Sequence, residues 1–330
     1  MRHITPGRLL ALGLVLLAIA IGLYVVPSDE YIFLPDRAHL VAPLVSVPGG
    51  HDPTKGGIYF VDVIVRKATI LEKLFGGLHK GAELFPASAI NPPGVGDQQR
   101  RRIDLQDMQN SQNVAAAVAL RAAGKKVVTR STGARIAAVE PGTPAVGKLE
   151  PDDVIIAVGG NQVRSTSAVS RAMAKHKAGD VVAFTVRRGT QTRVVKIKTV
   201  ALGTSPKAKI GVLLEPAIAI KLPFPVRIDA GNVGGPSAGL AFALEVLQEL
   251  GRNILHGHKV AATGEIFADG SVGPIGGIKQ KVIGAREAGV DAFLVPAGEN
   301  ARDARKGADG LRIIPVESFT QALQALATLR

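Results

Sequence analysis

The chain of 330 residues has no cysteine and no tryptophan, and only 4% of it is aromatic. Without cysteine there are no disulfides, no thiolate metal sites and no cysteine nucleophile. With few aromatics, and no basic stripe interleaved with them, there is little to stack on unpaired bases, so nucleic acid is not expected as a partner. The histidines show no metal-ligand spacing, and His256 and His258 read as solvated loop residues. No metal and no cofactor are expected. There is no Walker A pattern and no region of ATPase size, so whatever reaction the chain performs is expected to run without ATP.

What the chain does have is apolar mass and positive charge. A hydrophobic fraction of 46% is enough for real cores and argues against disorder. The formal net charge of +13 suits anionic lipid or acidic partners. One run, Leu9 to Val26, carries no charge at all. As a helix it would span about 27 Å, close to the roughly 30 Å of a bilayer's hydrocarbon core. Arg2 and Arg8 precede it, and Asp29 and Glu30 follow. That asymmetry predicts a single-pass anchor in the cell membrane, with a cytoplasmic N-terminus and an extracytoplasmic body. The competing reading is a cleaved signal peptide with Ala18-Ile19-Ala20 as its small-x-small site. Cleavage there would leave the very apolar new end Ile21 to Val26, which favours the uncleaved anchor.

Four segments follow from composition and pattern. Residues 1–30 are the tip and anchor. Residues 31–124 begin with an extended, Pro-rich stretch and a strand at Ile58 to Val65. A turn region around Asn91-Pro92-Pro93-Gly94 comes next, then a helix from Asp104 to Ala123 with Met108, Val114, Val118 and Ala122 on one side. Residues 125–203 change to short strands and one helix, Ser165 to Lys177. Residues 204–330 return to mixed helix and strand. There Asp269-Gly270 marks a hairpin, Gly289 closes a helix, and a Ser318-x-x-Gln321 capping box opens the last helix.

The segment 125–203 resembles a PDZ domain. The residues that carry this are Pro144-Ala145, Leu149 with Asp153-Val154-Ile155, Gly160-Asn161-Gln162-Val163 and Gly179-Asp180. The resemblance implies capture of an extended peptide on an edge strand beside a helix. The edge expected is Ala134 to Val139, with Gly133, Ala134, Arg135 and Ile136 as peptide contacts. The loop there reads Thr132-Gly133-Ala134-Arg135 and departs from the usual apolar-Gly-apolar carboxylate loop. The bland alternative is a spacer domain with no ligand.

Chemistry concentrates in two motifs. Gly234-Gly235-Pro236-Ser237-Ala238-Gly239 offers a serine on a tight turn that opens a helix. The free N–H groups of such a helix start, around Gly235, Pro236, Ser237 and Ala238, suit an oxyanion hole. Gly276-Gly277-Ile278-Lys279-Gln280-Lys281 offers lysines on the first turn of another helix. A serine hydroxyl needs a base, and a lysine desolvated among Val260, Ile275, Ile278 and Val282 would lose affinity for its proton. The two lysines point about 200° apart on a helix, so only one can face Ser237. Thr263 could hold the ammonium through its hydroxyl. The pattern reads as a Ser–Lys hydrolase. Its rivals are a small-metabolite kinase with a Gly-rich phosphate loop and a catalytically silent membrane scaffold that presents peptides.

Gly235-Pro236-Ser237-Ala238-Gly239, Thr263-Gly264-Glu265, Pro274 to Lys281, and Pro296 with Asn300-Ala301-Arg302-Asp303 together resemble the proteolytic domain of Lon proteases, in order and spacing. The likeness spans Val226 to Leu329 and, more weakly, Met108-Gln109-Asn110-Ser111 to Gly124. It implies an α+β fold of the ribosomal protein S5 domain 2-like type, with the PDZ-like segment inserted and one N-terminal transmembrane helix. The whole is similar to the membrane-anchored PDZ Lon-like proteases of bacteria. The resemblance implies Ser237 as nucleophile, Lys281 rather than Lys279 as base, and Thr263 in support. It also implies protein or peptide substrates in extended or unfolded form, and a homo-oligomer, possible as a hexameric ring. One departure stands out: many Lon proteases carry an acidic residue three before the serine, and here that position is Gly234.

Overall fold

A 20-residue helix, α1 (Pro6–Val25), opens the computed structural model, which describes residues 6–50, 55–91, 96–202 and 205–329. Arg2, Pro92, Pro93 and Gly94 therefore lie outside the described residues. Leu10, Leu12, Leu14, Leu16, Ile19 and Ile21 of α1 are each more than half exposed. Among the described residues no helix is long and apolar enough to cross a membrane.

The chain then runs through β1 (Pro27–Leu40), a 3-10 turn (Ala42–Leu44), β2 (Val45–Ser46), β3 (Gly57–Thr69), α2 (Ile70–Leu74), β4 (Glu83–Pro86), α3 (Ala87–Ile90) and α4 (Asp97–Ala122). The stretch read as Pro-rich and extended is the long strand β1, paired antiparallel with β3. Helix α4 starts a full turn and more before Asp104, and buries Met108, Ser111 and the run Ala115 to Leu120. Alanines there let α4 lie close to a neighbouring helix without voids.

Residues Lys125–Pro223 form a compact unit of their own. It contains β5 (Val128–Val139), β6 (Val154–Val158), β7 (Asn161–Gln162), α5 (Thr166–Met173), β8 (Val181–Arg188), β9 (Gln191–Lys198), β10 (Val200–Leu202), β11 (Ser205–Lys209) and β12 (Val212–Lys221). The main sheet has the order β12-β5-β6-β8-β9 and closes over Ile136, Leu149, Ile155, Val169 and Phe184. The composition change that ends this domain falls at residue 203, which lies outside the described residues. The unit continues to Pro223 because β12 pairs with β5 along its whole length.

The other unit joins the residues up to Gly124 with those from Phe224 onward. Its second part holds β13 (Arg227–Ile228), a 3-10 turn (Pro236–Ala238), α6 (Gly239–Glu249), β14 (Lys259–Ala262), β15 (Glu265–Ile266), β16 (Val272–Gly273), α7 (Ile278–Glu287), β17 (Ala292–Pro296), α8 (Glu299–Lys306), β18 (Arg312–Val316) and α9 (Phe319–Ala327). The sheet has the order β18-β17-β14-β3-β1-β4, with β14 parallel to both β3 and β17. Alternation along the strands feeds two cores. Phe60, Val260, Ala262 and Leu294 pack with Phe242 and Leu244 of α6, whereas Val61, Ala261, Phe293 and Val295 pack with Ile278 and Val282 of α7. Helices α6 and α7 thus lie on opposite faces of one sheet and can meet only past the end of a strand.

Candidate active site

That meeting point is the end of β14. Thr263 follows the strand, and its N–H donates to the Leu294 carbonyl at 3.0 Å. The Gly235-Pro236 turn brings Ser237 to it from the α6 side. Gly235 has φ +84, a left-handed backbone suited to glycine. From the other face comes α7, whose N-cap Gly277 is also left-handed (φ +67) and sits against Val63 of β3. Asn300 holds the loop before α7 from both sides, accepting from the Ile275 N–H and donating to the Ile275 carbonyl, each at 2.9 Å.

Lys281 Nζ lies 2.7 Å from Ser237 Oγ and 3.2 Å from Thr263 Oγ1. The Thr263 hydroxyl donates in turn to the Ser237 carbonyl at 3.1 Å, and that carbonyl also accepts from the Gly264 N–H at 2.8 Å. Thr263 is fully buried and Lys281 only 3% exposed. Burial pulls the Lys281 ammonium down to about 8, with the Asp62 carboxylate working against that shift. Lys279, two residues earlier, points elsewhere: it is exposed and pairs with Glu83 at 2.9 Å. The structure therefore brings Ser237, Thr263 and Lys281 together and leaves Lys279 outside.

Four backbone positions were expected to offer oxyanion donors, and two do not. Pro236 has no N–H, and the Gly235 N–H is engaged with the Asp104 carbonyl at 2.7 Å. The first-turn N–H groups of Ser237 and Ala238 are the remaining candidates.

Three neighbours went unassigned in the sequence. Ser111 of α4, 4% exposed, donates to the Pro236 carbonyl at 3.0 Å and fixes the turn that presents Ser237. Asp104 of α4 packs against Gly234. Burial pushes the Asp62 carboxyl up, and Asp62 faces His39 at 3.3 Å. With Asp36 these two set their donor atoms within 4.8 Å of one another. Ser111 closes the Met108-Gln109-Asn110-Ser111 motif, which by itself gives it no role. Asp62 was visible as the lone charge in the run Ile58 to Val65.

In the other unit, the expected peptide edge is not an edge. Ala134 pairs with Pro216 of β12 on one side and Ile155 of β6 on the other; Arg135 pairs likewise with Glu215 and Val154. Ala134 and Ile136 are fully buried in the core, Gly133 is closed in by Ile155, and the Arg135 side chain is held by Asp152 at 2.7 Å and Glu215 at 2.5 Å. An incoming peptide finds no unpaired backbone at Ala134 to Ile136. The outer strand beside α5 is β12.

Comparison with known proteins finds two matches along the chain, whose bounds differ from those of the two units. Residues 217–328 match the Lon protease (S16) C-terminal proteolytic domain, and residues 106–199 match the PDZ domain. Lon protease 2 of Bacillus subtilis is 33% identical over 145 residues, covering 42% of this chain and 25% of that protein. Lon protease of Azospirillum brasilense is 31% identical over 176 residues, 50% of this chain and 20% of its own length. The crystal structure of the PDZ domain of an SdrC-like protein from Listeria monocytogenes is 25% identical, covers 25% of this chain and 87% of that one, and has a TM-score of 0.24. The chain spans only about a quarter or less of the Lon proteases named. Residues 217–328 are thus similar to a Lon-type proteolytic domain, which supports a serine-type peptidase, and residues 106–199 to a PDZ domain.

Proposed function

We propose that the protein is an ATP-independent endopeptidase in which Ser237 attacks the peptide carbonyl and Lys281 is the general base. The observation that carries this reading is the 2.7 Å contact between Lys281 Nζ and Ser237 Oγ in a buried setting. With a pKa of about 8, about a tenth of Lys281 is neutral at pH 7. The neutral amine takes the Ser237 proton as Oγ adds to the carbonyl carbon. The Ser237 and Ala238 N–H groups receive the oxyanion. The resulting ammonium returns the proton to the leaving amine. Water, deprotonated by the same lysine, then cleaves the acyl ester and frees Ser237. Thr263 holds Nζ in line throughout.

The substrates of this reading are extended or unfolded segments, since the chain carries no Walker A motif for an ATP-driven unfolding engine. The PDZ domain would recruit them by strand addition to β12. The apolar-Gly-apolar triplet Ile210-Gly211-Val212 leads directly into that strand. The exposed apolar surface of α1 supports anchorage in the cell membrane with the body outside. Assembly into a ring of copies belongs to the same reading, and sedimentation of the protein as a monomer would remove it.

The deciding experiment incubates wild type, Ser237→Ala and Lys281→Ala with unfolded casein without ATP and follows cleavage by mass spectrometry. Cleavage by wild type alone is expected. Equal cleavage by all three would attribute the activity to a contaminant, and silence from wild type would favour a peptide-binding scaffold.

A further inference from the structure

Helix α2 has only five residues, yet it is fixed unusually firmly. Thr69 and Glu72 form a reciprocal capping box. Glu72, 4% exposed, accepts two hydrogen bonds from Arg66, at 2.6 and 2.8 Å, and meets His79 at 2.7 Å. The Arg66 guanidinium holds the Glu72 carboxyl down at about 2. Such fixation normally serves a packed side chain, but the apolar residues presented here belong to no core. Leu74, Phe75 and Leu78 are 62%, 58% and 51% exposed.

Their location is specific. The Ile70 N–H donates to the Val26 carbonyl at 3.0 Å, Thr69 sits opposite Pro27 in the β1–β3 register, and α2 packs beside the end of α1. The apolar patch is therefore continuous with the exposed apolar surface of α1 at the point where the chain leaves it. Tyr24, 67% exposed, marks the same level, as interfacial tyrosines do. Of the cations near it in sequence, Arg66 and His79 pair with Glu72, Lys67 with Asp97, and Lys73 with Asp29 and Glu30, while Lys80 is exposed. An exposed apolar tip on a chain of net charge +13 matches the acyl–headgroup boundary of an anionic bilayer.

We infer that Leu74, Phe75 and Leu78 form a second membrane contact, dipping into the interfacial layer of an anionic bilayer beside α1 and setting the attitude of the catalytic unit on the surface. This rests on the proposed anchorage of α1. A rigid second contact converts a single tether, free to swing, into a hinge-less mount.

The chain has no tryptophan, so a single introduced one reports its own surroundings. Three variants of the full chain, Phe75→Trp, Tyr24→Trp and Tyr59→Trp, are reconstituted into vesicles of phosphatidylcholine and phosphatidylglycerol, with and without brominated acyl chains. Tyr59 lies at the far end of β3 from Thr69, about 33 Å away at roughly 3.3 Å per residue. The expected result is blue-shifted emission and loss of fluorescence to brominated lipid at positions 24 and 75, and no loss to brominated lipid at position 59, where Tyr59 packs against the protein core. Quenching at 24 without quenching at 75 overturns the second contact and leaves the anchor standing. Absence of quenching at 24 overturns the anchor and this inference together. A blue shift at 75 that brominated lipid does not quench assigns the patch to a protein partner, such as a second copy, and likewise overturns it.

Discussion

The Asp104 Cβ lies 2.7 Å from the point where a side chain at Gly234 would place its own Cβ. Position 234, three before Ser237, is thus closed by a residue from a different part of the chain. The Gly235 N–H bond to the Asp104 carbonyl, 2.7 Å long, ties the same two segments together. A Gly234→Ala change should push the Ser237 turn away from α4, destabilising the protein by about 1–3 kcal/mol and lowering kcat more than it raises KM. Denaturant midpoints and steady-state kinetics on a peptide substrate measure both. Wild-type stability in this variant would show that the turn gives way freely.

The pH profile should report Lys281. Activity needs the neutral amine, so it should rise with pH and reach half its plateau near the lysine's pKa of about 8. Asp62 holds that value up, since a nearby negative charge favours the ammonium. Asp62→Asn should therefore shift the rising limb to lower pH, with His39 and Asp36, the groups facing Asp62, left in place. A limb that stays put or moves upward would remove Asp62 from the electrostatics of the site.

Stability carries the same signature. The folded pKa of Lys281 lies below its unfolded value of 10.5, so the unfolded chain binds the extra proton. Stability should rise with pH between about 8 and 10.5 and be reduced below that window. The shift corresponds to a cost of order 3 kcal/mol at pH 7. Lys281→Met removes it and should be inactive yet more stable than wild type at pH 7, with the difference shrinking above pH 10. Chemical denaturation across pH tests the sign.

Thr263 offers a cleaner separation of packing from chemistry. Thr263→Val keeps the shape but loses both the bond from Lys281 Nζ and the bond to the Ser237 carbonyl. Leaving buried partners unpaired costs about 1–3 kcal/mol, so kcat should fall roughly tenfold to a hundredfold. Thr263→Ser should restore most of it. Equal activity in all three would mean that burial alone positions the lysine.

Ser111→Ala removes the donor to the Pro236 carbonyl. A net loss of about 1 kcal/mol is expected in both stability and transition-state binding, with an unchanged pH profile. A shifted pH profile would instead assign Ser111 to the proton path.

The site residues were legible because each sits in a short local motif: a Gly-rich turn before a helix, a strand end, and the first turn of a second helix. The choice between Lys279 and Lys281 was not legible from spacing, because helical phase excludes one lysine without naming which; the pairing of Lys279 with Glu83 is long-range. The same limit governed the PDZ domain. Strands β5 and β6 are visible as apolar runs, but the partner that covers β5 lies about eighty residues on, and no local pattern announces it. The expected contacts Gly133 to Ile136 were therefore placed on a strand that is paired on both sides. The apolar-Gly-apolar triplet was present all along at Ile210-Gly211-Val212, in a stretch that composition assigned to the following domain.

The insertion of residues Lys125–Pro223 into the sheet-bearing unit has a consequence in time. A ribosome delivers the chain from its N-terminus. Strand β3 emerges early, but its parallel neighbour β14 and then β17 and β18 come only after the inserted unit is complete. Thr263 and Lys281 arrive later still than Ser237. Under the proposed function, the nascent protein can thus become a folded binder before it can become a cutter. A truncation that stops at Pro223 keeps the inserted unit and lacks Ser237, Thr263 and Lys281, so under the proposed function it should bind peptide without cleaving it.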